Sequence, residues 1–277
     1  MDKSWLPKLQ QVETETLDKV VEICEKNNLR YYLIGGTLLG AVRHKGFIPW
    51  DDDVDIVMPR QDYDRFRALV AQQPDDAYYM QTPQNEPRYP EDIIKFRKKE
   101  TVYESMRARR FKLKCTGIWV DIFPLDNVPK QRSAAQTVLG FIIQSLIKPI
   151  LNMYDADSKD KSAKAFVLHL FSKLLPFSFY VWLRDRLAKH YNGIECDYYV
   201  NYSSQYGYLK QTMPKDAYEP SEYLEFNHRL YRSPGKWDFV LRRIYGDDYM
   251  TLPPPEKRVT HNPVRLSFDT SGPDEVI

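Results

Sequence analysis

The sequence predicts an α+β fold carrying a helical insertion, and three observations on the 277-residue chain lead to it. Short apolar strand patterns alternate with helical patterns as far as Gln73. Residues 75–125 then read as strands, at Tyr78–Gln81, Ile93–Arg97, Thr101–Tyr103 and Ile118–Phe123. From 130 to 192 the character changes to broad apolar faces at helical spacing.

In order along the chain, residues 7–28 carry Leu9, Val12, Leu17, Val20, Val21 and Cys24 at roughly helical spacing, and Asn27-Asn28 closes that helix. An apolar strand, Tyr31–Ile34, runs into Gly35-Gly36 and a short helix, Thr37–Arg43. A strand from Asp53 to Met58 follows, and Pro59 opens a helix that reaches about Gln73. Residues 104–116 form a basic turn or ribbon, read first as a solvated hairpin face and second as a contact for nucleotide or acceptor phosphates. Val138, Leu139, Ile142, Ile143, Leu146 and Ile147 give one helix face, and Ala165, Leu168, Phe171, Leu174 and Leu175 give another. The Phe-, Leu- and Tyr-rich stretch Phe166–Leu183 reads first as core packing; docking to a membrane surface is the alternative. A short strand is expected near Arg229–Tyr231, a helix over Trp237–Tyr245, and a loose polar tail after about 262. The expected division is a core over 1–129, a helical insertion over 130–197, a return to the core over 198–262, and a tail over 263–277.

Composition excludes several classes. The net charge of +2 leaves no global field for nucleic acid. Cys24, Cys115 and Cys196 form no C-x-x-C pair, which argues against a disulfide framework or thiolate metal site and fits a reducing cytoplasm. The opening MDKSWLPKLQ lacks the apolar core of a signal peptide, and no run of about 18 apolar residues suggests a spanning helix. The expected location is therefore cytoplasmic, with peripheral contact at the inner face of a membrane as the one extension. H-E-x-x-H, G-x-S-x-G and Walker A patterns do not occur.

The chemistry is concentrated in GGTLLGAVRHKGFIPWDDDVDIV, residues 35–57. Glycines at the start of a helix let backbone N–H groups approach a phosphate. Asp53 and Asp55, at i and i+2, point to one face of an otherwise apolar strand. Two such carboxylates repel unless a cation lies between them, and Mg²⁺ favours carboxylate, water and phosphate oxygens. Mn²⁺ is the expected substitute. A phosphate cradle beside a magnesium site is equipment for phosphoryl transfer. Asp121 interrupts a second apolar strand and is the natural third acid, if the two strands are neighbours. Asp51 and Asp52 precede the strand and read as turn or supporting residues, and His44 as a supporting or surface residue. Gly35, Gly36, Thr37 and Arg43 are expected at the donor phosphates; Lys95 and Arg97 face them or pair with a nearby acid. Trp50 and Trp119 are the aromatic candidates for an alkylammonium head group, with core packing the alternative for both.

These residues resemble the LicD family, which includes the fukutin-related proteins. The shared pattern is the glycine turn, Leu-Leu-Gly, Arg-x-x-Gly and Trp-Asp-Asp-Asp-hydrophobic-Asp; it continues in Gly117–Asp126 (GIWVDIFPLD) and more loosely in Tyr245–Met250, Leu252-Pro253-Pro254 and Arg258. Arg258 and His261 match the tail pattern loosely and rank lowest. The resemblance implies a nucleotidyltransferase-like mixed sheet in which Asp53 and Asp55 bind Mg²⁺. Asp121 would complete that site and accept the proton of an attacking hydroxyl. It also implies transfer of a phospho-substituent, often phosphocholine, from a cytidine nucleotide donor to a hydroxyl of a cell-surface glycan, teichoic-acid or lipid-linked precursor. Three further readings stay open: transfer of aminoethylphosphonate from a CMP-linked donor, nucleotidyl transfer releasing pyrophosphate, and an inactive nucleotide- or glycan-binding protein.

Overall fold

The computed structural model describes residues 3–86, 88–130, 133–146, 175–258, 260–261 and 263–269. Its centre is the strand that carries Asp121. This strand, β6 (Trp119–Val128), is buried along nearly its whole length, as a strand covered on both faces must be. It pairs in parallel with β2 (Asp55–Pro59) on one side. On the other it runs antiparallel to β4 (Ile94–Lys98), and its far end meets β7 (Tyr198–Val200). With β1 (Tyr32–Leu33), β3 (Tyr78–Gln81) and β8 (Thr212–Pro214) the sheet has seven strands, ordered β1-β2-β6-β4-β3 with β7 and β8 continuing from β6. This is the mixed nucleotidyltransferase-like sheet that the resemblance implied.

Strand alternation sorts the two faces. Ile56, Ile94, Phe96, Val120 and Ile122 enter the main hydrophobic core, where Phe96 stacks on Tyr78 at 5.2 Å. Asp55, Lys95, Arg97, Trp119, Asp121 and Phe123 are left on the other face, which lines a cavity.

Helices close the core. α1 (Leu6–Lys26) begins with Pro7 in its first turn and ends on a lysine, as the unpaired termini of a helix favour. It buries a stripe from Leu6 to Cys24 against β4 and β6. α2 (Gly35–His44) starts on the glycine pair rather than after it and stops at Lys45, whose φ of 56° is left-handed. α3 (Arg60–Gln72) packs on β2, β3 and β6, and α8 (Trp237–Tyr245) packs on α2.

Several elements differ from the sequence reading. The basic ribbon contains a short helix, α4 (Met106–Phe111), because Ser105 caps it by accepting from the Ala108 N–H. It follows β5 (Val102–Glu104). The strand near Arg229 is half of a hairpin, β9 (Glu222–Phe226) and β10 (Arg229–Ser233). Its loop residues Asn227 and His228 both have positive φ, the turn that matches strand twist. The tail expected to be loose contains β11 (Arg265–Ser267), paired antiparallel with β5. In the helical region α5 (Ala134–Ser145) opens on a capping box made by Ser133 and Gln136. α6 (Phe177–Ala188) packs on α5, and a single turn, α7 (Tyr208–Gln211), precedes β8. The apolar faces expected at Ile147 and from Ala165 to Leu174 lie outside the described residues. Among the described residues, no helix is long and apolar enough to cross a membrane.

Candidate active site

Parallel pairing of β2 with β6 sets Asp55 directly beside Asp121, and antiparallel pairing of β6 with β4 sets Lys95 on Asp121's other side. Asp53 lies just before β2. All four line a cavity of about 730 Å³, a volume typical of small-molecule sites.

The acids crowd one another. Asp55 is pushed well above the usual carboxylate range, first by burial, then by the charges of Asp53, Asp121 and Asp51. Asp53 rises to about 6 for the same first reason, with Asp121 and Asp52 adding and His261 opposing. Asp51 rises to about 8 through burial and its two acidic neighbours. Behind them Glu13, fully buried on α1, has no hydrogen-bond partner for either oxygen among the described residues. Its carboxyl is pushed well up, by burial first and then by Asp53, Asp52, Asp51 and Asp121.

Two cationic groups answer part of this charge. Lys95 Nζ donates to both oxygens of Asp121, at 2.6 and 2.8 Å, and lies 3.6 Å from Glu91 Oε2. Burial works against the Glu91 charge, yet Lys95 and Arg107 hold that carboxyl down at about 2. His261 closes the opposite side: its Nδ1 is 2.9 Å from Asp52 Oδ1 and 3.8 Å from Asp53 Oδ2. The His261 N–H donates to both Asp52 oxygens, and Tyr103 donates its hydroxyl to Asp52 Oδ2 at 2.6 Å. The Asp52 hydrogen bond carries the His261 imidazole up to about 9. Burial opposes the Asp52 charge, but His261 and Tyr103 hold that carboxyl below its usual range.

This pair has a consequence for stability. A histidine with its pKa raised above the ordinary 6.5 stabilises fully below that value, and the stabilisation fades as pH rises through about 9. A depressed Asp52 contributes above its ordinary 3.8 and loses that contribution as pH falls through its folded value. Thermal midpoints of the wild type should therefore decline between pH 6.5 and 9 more steeply than those of His261→Gln. Parallel profiles would show that the contact adds no stability.

The glycine pair packs against the acids. Gly35 has a φ of 60°, a conformation that side chains resist. A Cβ on Gly36 would sit 2.5 Å from Asp51 Oδ2, and one on Gly35 would sit 3.1 Å from Asp55 Oδ2. The bare start of α2 thus makes room for carboxylates. Thr37 holds the same junction from its hydroxyl, which accepts the Asp55 N–H at 2.8 Å.

Asp53, Asp55, Asp121, Lys95 and Gly35 meet at the cavity, as do Arg97 and Trp119. Arg97, however, is buried and donates to Gln81 and to the Gly117 carbonyl. The Trp119 ring carries Lys95 Nζ at 4.4 Å and the Arg97 guanidinium at 4.9 Å from its centroid. Gly36, Thr37, Arg43, His44, Trp50, Asp51 and Asp52 do not line the cavity. Arg43 donates to His44 and to the Tyr249 carbonyl, while Arg258 covers a face of Trp50 at 4.8 Å.

The cavity also takes in residues with no motif of their own. Glu91, Arg107, Arg184, Tyr202, Ser203 and Tyr206 reach it from loops and helices distant in sequence. Buried Arg184 pairs with Asp92 and donates to the Ile143 and Tyr202 carbonyls, fastening α5, α6 and two cavity loops together. Glu13, which the sequence reading also missed, did carry a signal, as an acid inside the apolar stripe of α1.

The acids suit a divalent oxygen-seeking ion in chemistry and charge, since burial and mutual repulsion are what such an ion relieves. Among the described residues, no three acidic, imidazole or thiol groups are already spaced to hold one. Asp121 is drawn onto Lys95 instead.

Residues 28–137 match the family described as "LicD/FKTN/FKRP, nucleotidyltransferase domain". The chain belongs to the LicD family and is a LicD-type phosphotransferase. It is 32% identical over 273 residues to the lipopolysaccharide cholinephosphotransferase LicD of Haemophilus influenzae, covering 95% of this chain and 97% of that one. It is also 55% identical over 42 residues to the human ribitol 5-phosphate transferase FKRP, which is 15% of this chain and 8% of that one.

Proposed function

We propose that the protein is a Mg²⁺-dependent transferase. It moves a phosphocholine-like group from a cytidine diphosphate-type donor onto a hydroxyl of a cell-surface glycan or lipid-linked glycan precursor. The observation that carries this reading is the packing of Asp53, Asp55 and Asp121 on one cavity wall at the start of α2, in a chain similar over 95% of its length to a cholinephosphotransferase.

In this reading Asp53 and Asp55 hold the ion, Asp121 completes its shell, and Mn²⁺ can replace Mg²⁺. When bound, the ion neutralises charge on the donor phosphates. The Gly35 backbone N–H, which lies at the cavity, faces a donor phosphate from the positive end of α2. Lys95 supplies a point charge to the same diphosphate. The acceptor oxygen bonds to the phosphorus of the transferred group, the bond from that phosphorus to the CMP oxygen breaks, and a site carboxylate takes the hydroxyl proton.

Head-group recognition falls to aromatic side chains other than the two tryptophans, because Trp50 lies outside the cavity wall and the Trp119 ring already carries two cations. Phe123 and Tyr206 line the cavity and offer ring surfaces for a quaternary ammonium. A cytoplasmic site of action, at the inner membrane face where lipid-linked precursors are accessible, completes the reading.

The test is metal-dependent release from CDP-choline, CDP-ethanolamine and CMP-aminoethylphosphonate, with CMP and pyrophosphate measured separately. CMP from CDP-choline with Mg²⁺ is expected, and none with a chelator. CMP mainly from the phosphonate donor would reassign the transferred group; pyrophosphate from a nucleoside triphosphate would reassign the reaction.

A further inference from the structure

Lys95 is placed to do more than meet a phosphate. It stands opposite Asp121 in the β4–β6 register, while Asp55 stands beside Asp121 in the β2–β6 register. Asp121 therefore lies between one ammonium and one carboxylate. The Lys95 side chain is only 12% exposed and that of Asp121 10%, so water screens their contact poorly. Both Asp121 oxygens are engaged, at 2.6 and 2.8 Å. A divalent ion shared with Asp53 and Asp55 needs an Asp121 oxygen that Lys95 now holds. A diphosphate entering the same cavity needs a cation, and Lys95 is a cation that the ion would displace.

We propose that Lys95 is a transferable counter-ion, held by Asp121 in the free protein and passed to the donor diphosphate when a divalent ion takes Asp121. This rests on the reading of the three aspartates as a metal site. The exchange couples the ligands: the ion releases the ammonium that the donor needs, and the donor draws off the ammonium that competes with the ion. Such coupling is reciprocal by thermodynamic necessity. Glu91, 3.6 Å from Nζ and paired with Arg107 at 2.7 Å, keeps the ammonium near the cavity as it changes partners.

The experiment measures binding, with Mn²⁺ followed by paramagnetic resonance and CDP by calorimetry, each alone and each with the other saturating. In Lys95→Met, Mn²⁺ alone should bind roughly fivefold or more tighter than in wild type, because its competitor is gone. The mutual tightening of Mn²⁺ and CDP should fall by a similar factor; what remains is the direct contact between ion and diphosphate. Asp121→Asn gives an independent readout that does not need Lys95→Met to fold. It frees the ammonium, so CDP without metal should bind tighter than in wild type, and adding Lys95→Met should cancel that gain. Unchanged or weaker Mn²⁺ binding in folded Lys95→Met would overturn the exchange, as would a gain in Asp121→Asn that survives loss of Lys95. Wild-type protein that binds no Mn²⁺ would instead overturn the metal site, and the exchange with it.

Discussion

Asp53→Asn and Asp55→Asn should each abolish turnover while leaving the metal-free protein as stable as wild type, or more so. The two effects share one cause. Both acids are raised above the ordinary carboxylate range by burial and by their acidic neighbours, so each destabilises the fold that holds it. A neutral amide of the same shape removes the repulsion. Relief of about 1 kcal/mol would raise the thermal midpoint by roughly 2–4 °C in a chain of this size. The same amide is a poor ligand for a hard divalent ion, and losing such a ligand removes several kcal/mol of transition-state stabilisation, about a thousandfold in rate. Activity lost together with a gain in stability is the mark of a residue kept for function. Calorimetry without metal and a CMP-release assay with it check both halves. Activity within tenfold of wild type in either variant would remove the metal-site assignment.

Asp126→Ala should do the opposite: unfold the protein readily while leaving the metal site untouched. Asp126 stands five residues after Asp121 in the same motif, and the sequence alone does not separate their roles. The structure does. Asp126 accepts two parallel hydrogen bonds from Arg60, both 2.8 Å, and one from the Asn192 amide at 2.6 Å. Arg60 is only 9% exposed and its charge is held by Asp126, so its loss would strand a buried guanidinium. Breaking a buried pair from one side costs about 3–5 kcal/mol. Urea denaturation should show that loss, and the thermal midpoint should fall on the order of 10 °C. Mn²⁺ affinity of the surviving folded fraction should match wild type. An Asp126→Ala protein as stable as wild type would show that Asp185, 3.8 Å from the Arg60 guanidinium, and water satisfy Arg60 unaided.

The sequence by itself determined the α+β class, the positions of most strands and helices, and three acids that line the cavity. It could do so because apolar periodicity is a local property, and because carboxylates inside an apolar strand are conspicuous without any knowledge of neighbours. Asp53, Asp55 and Asp121 were legible for that reason, and Glu13 could have been. Only the tertiary structure decided which residues share a wall. Strand register set Asp121 between Asp55 and Lys95, a relation between segments that no local pattern encodes. It buried Arg97 under Trp119 and sent Arg43 to Tyr249, although all three cations had the same claim on a phosphate by residue type. It brought His261, one of the two weakest sequence matches, onto Asp52, because β11 pairs with β5 and carries the tail back to the site. Charge and shape are written residue by residue; whether two charges meet depends on long-range pairing, and that is settled only when the sheet closes.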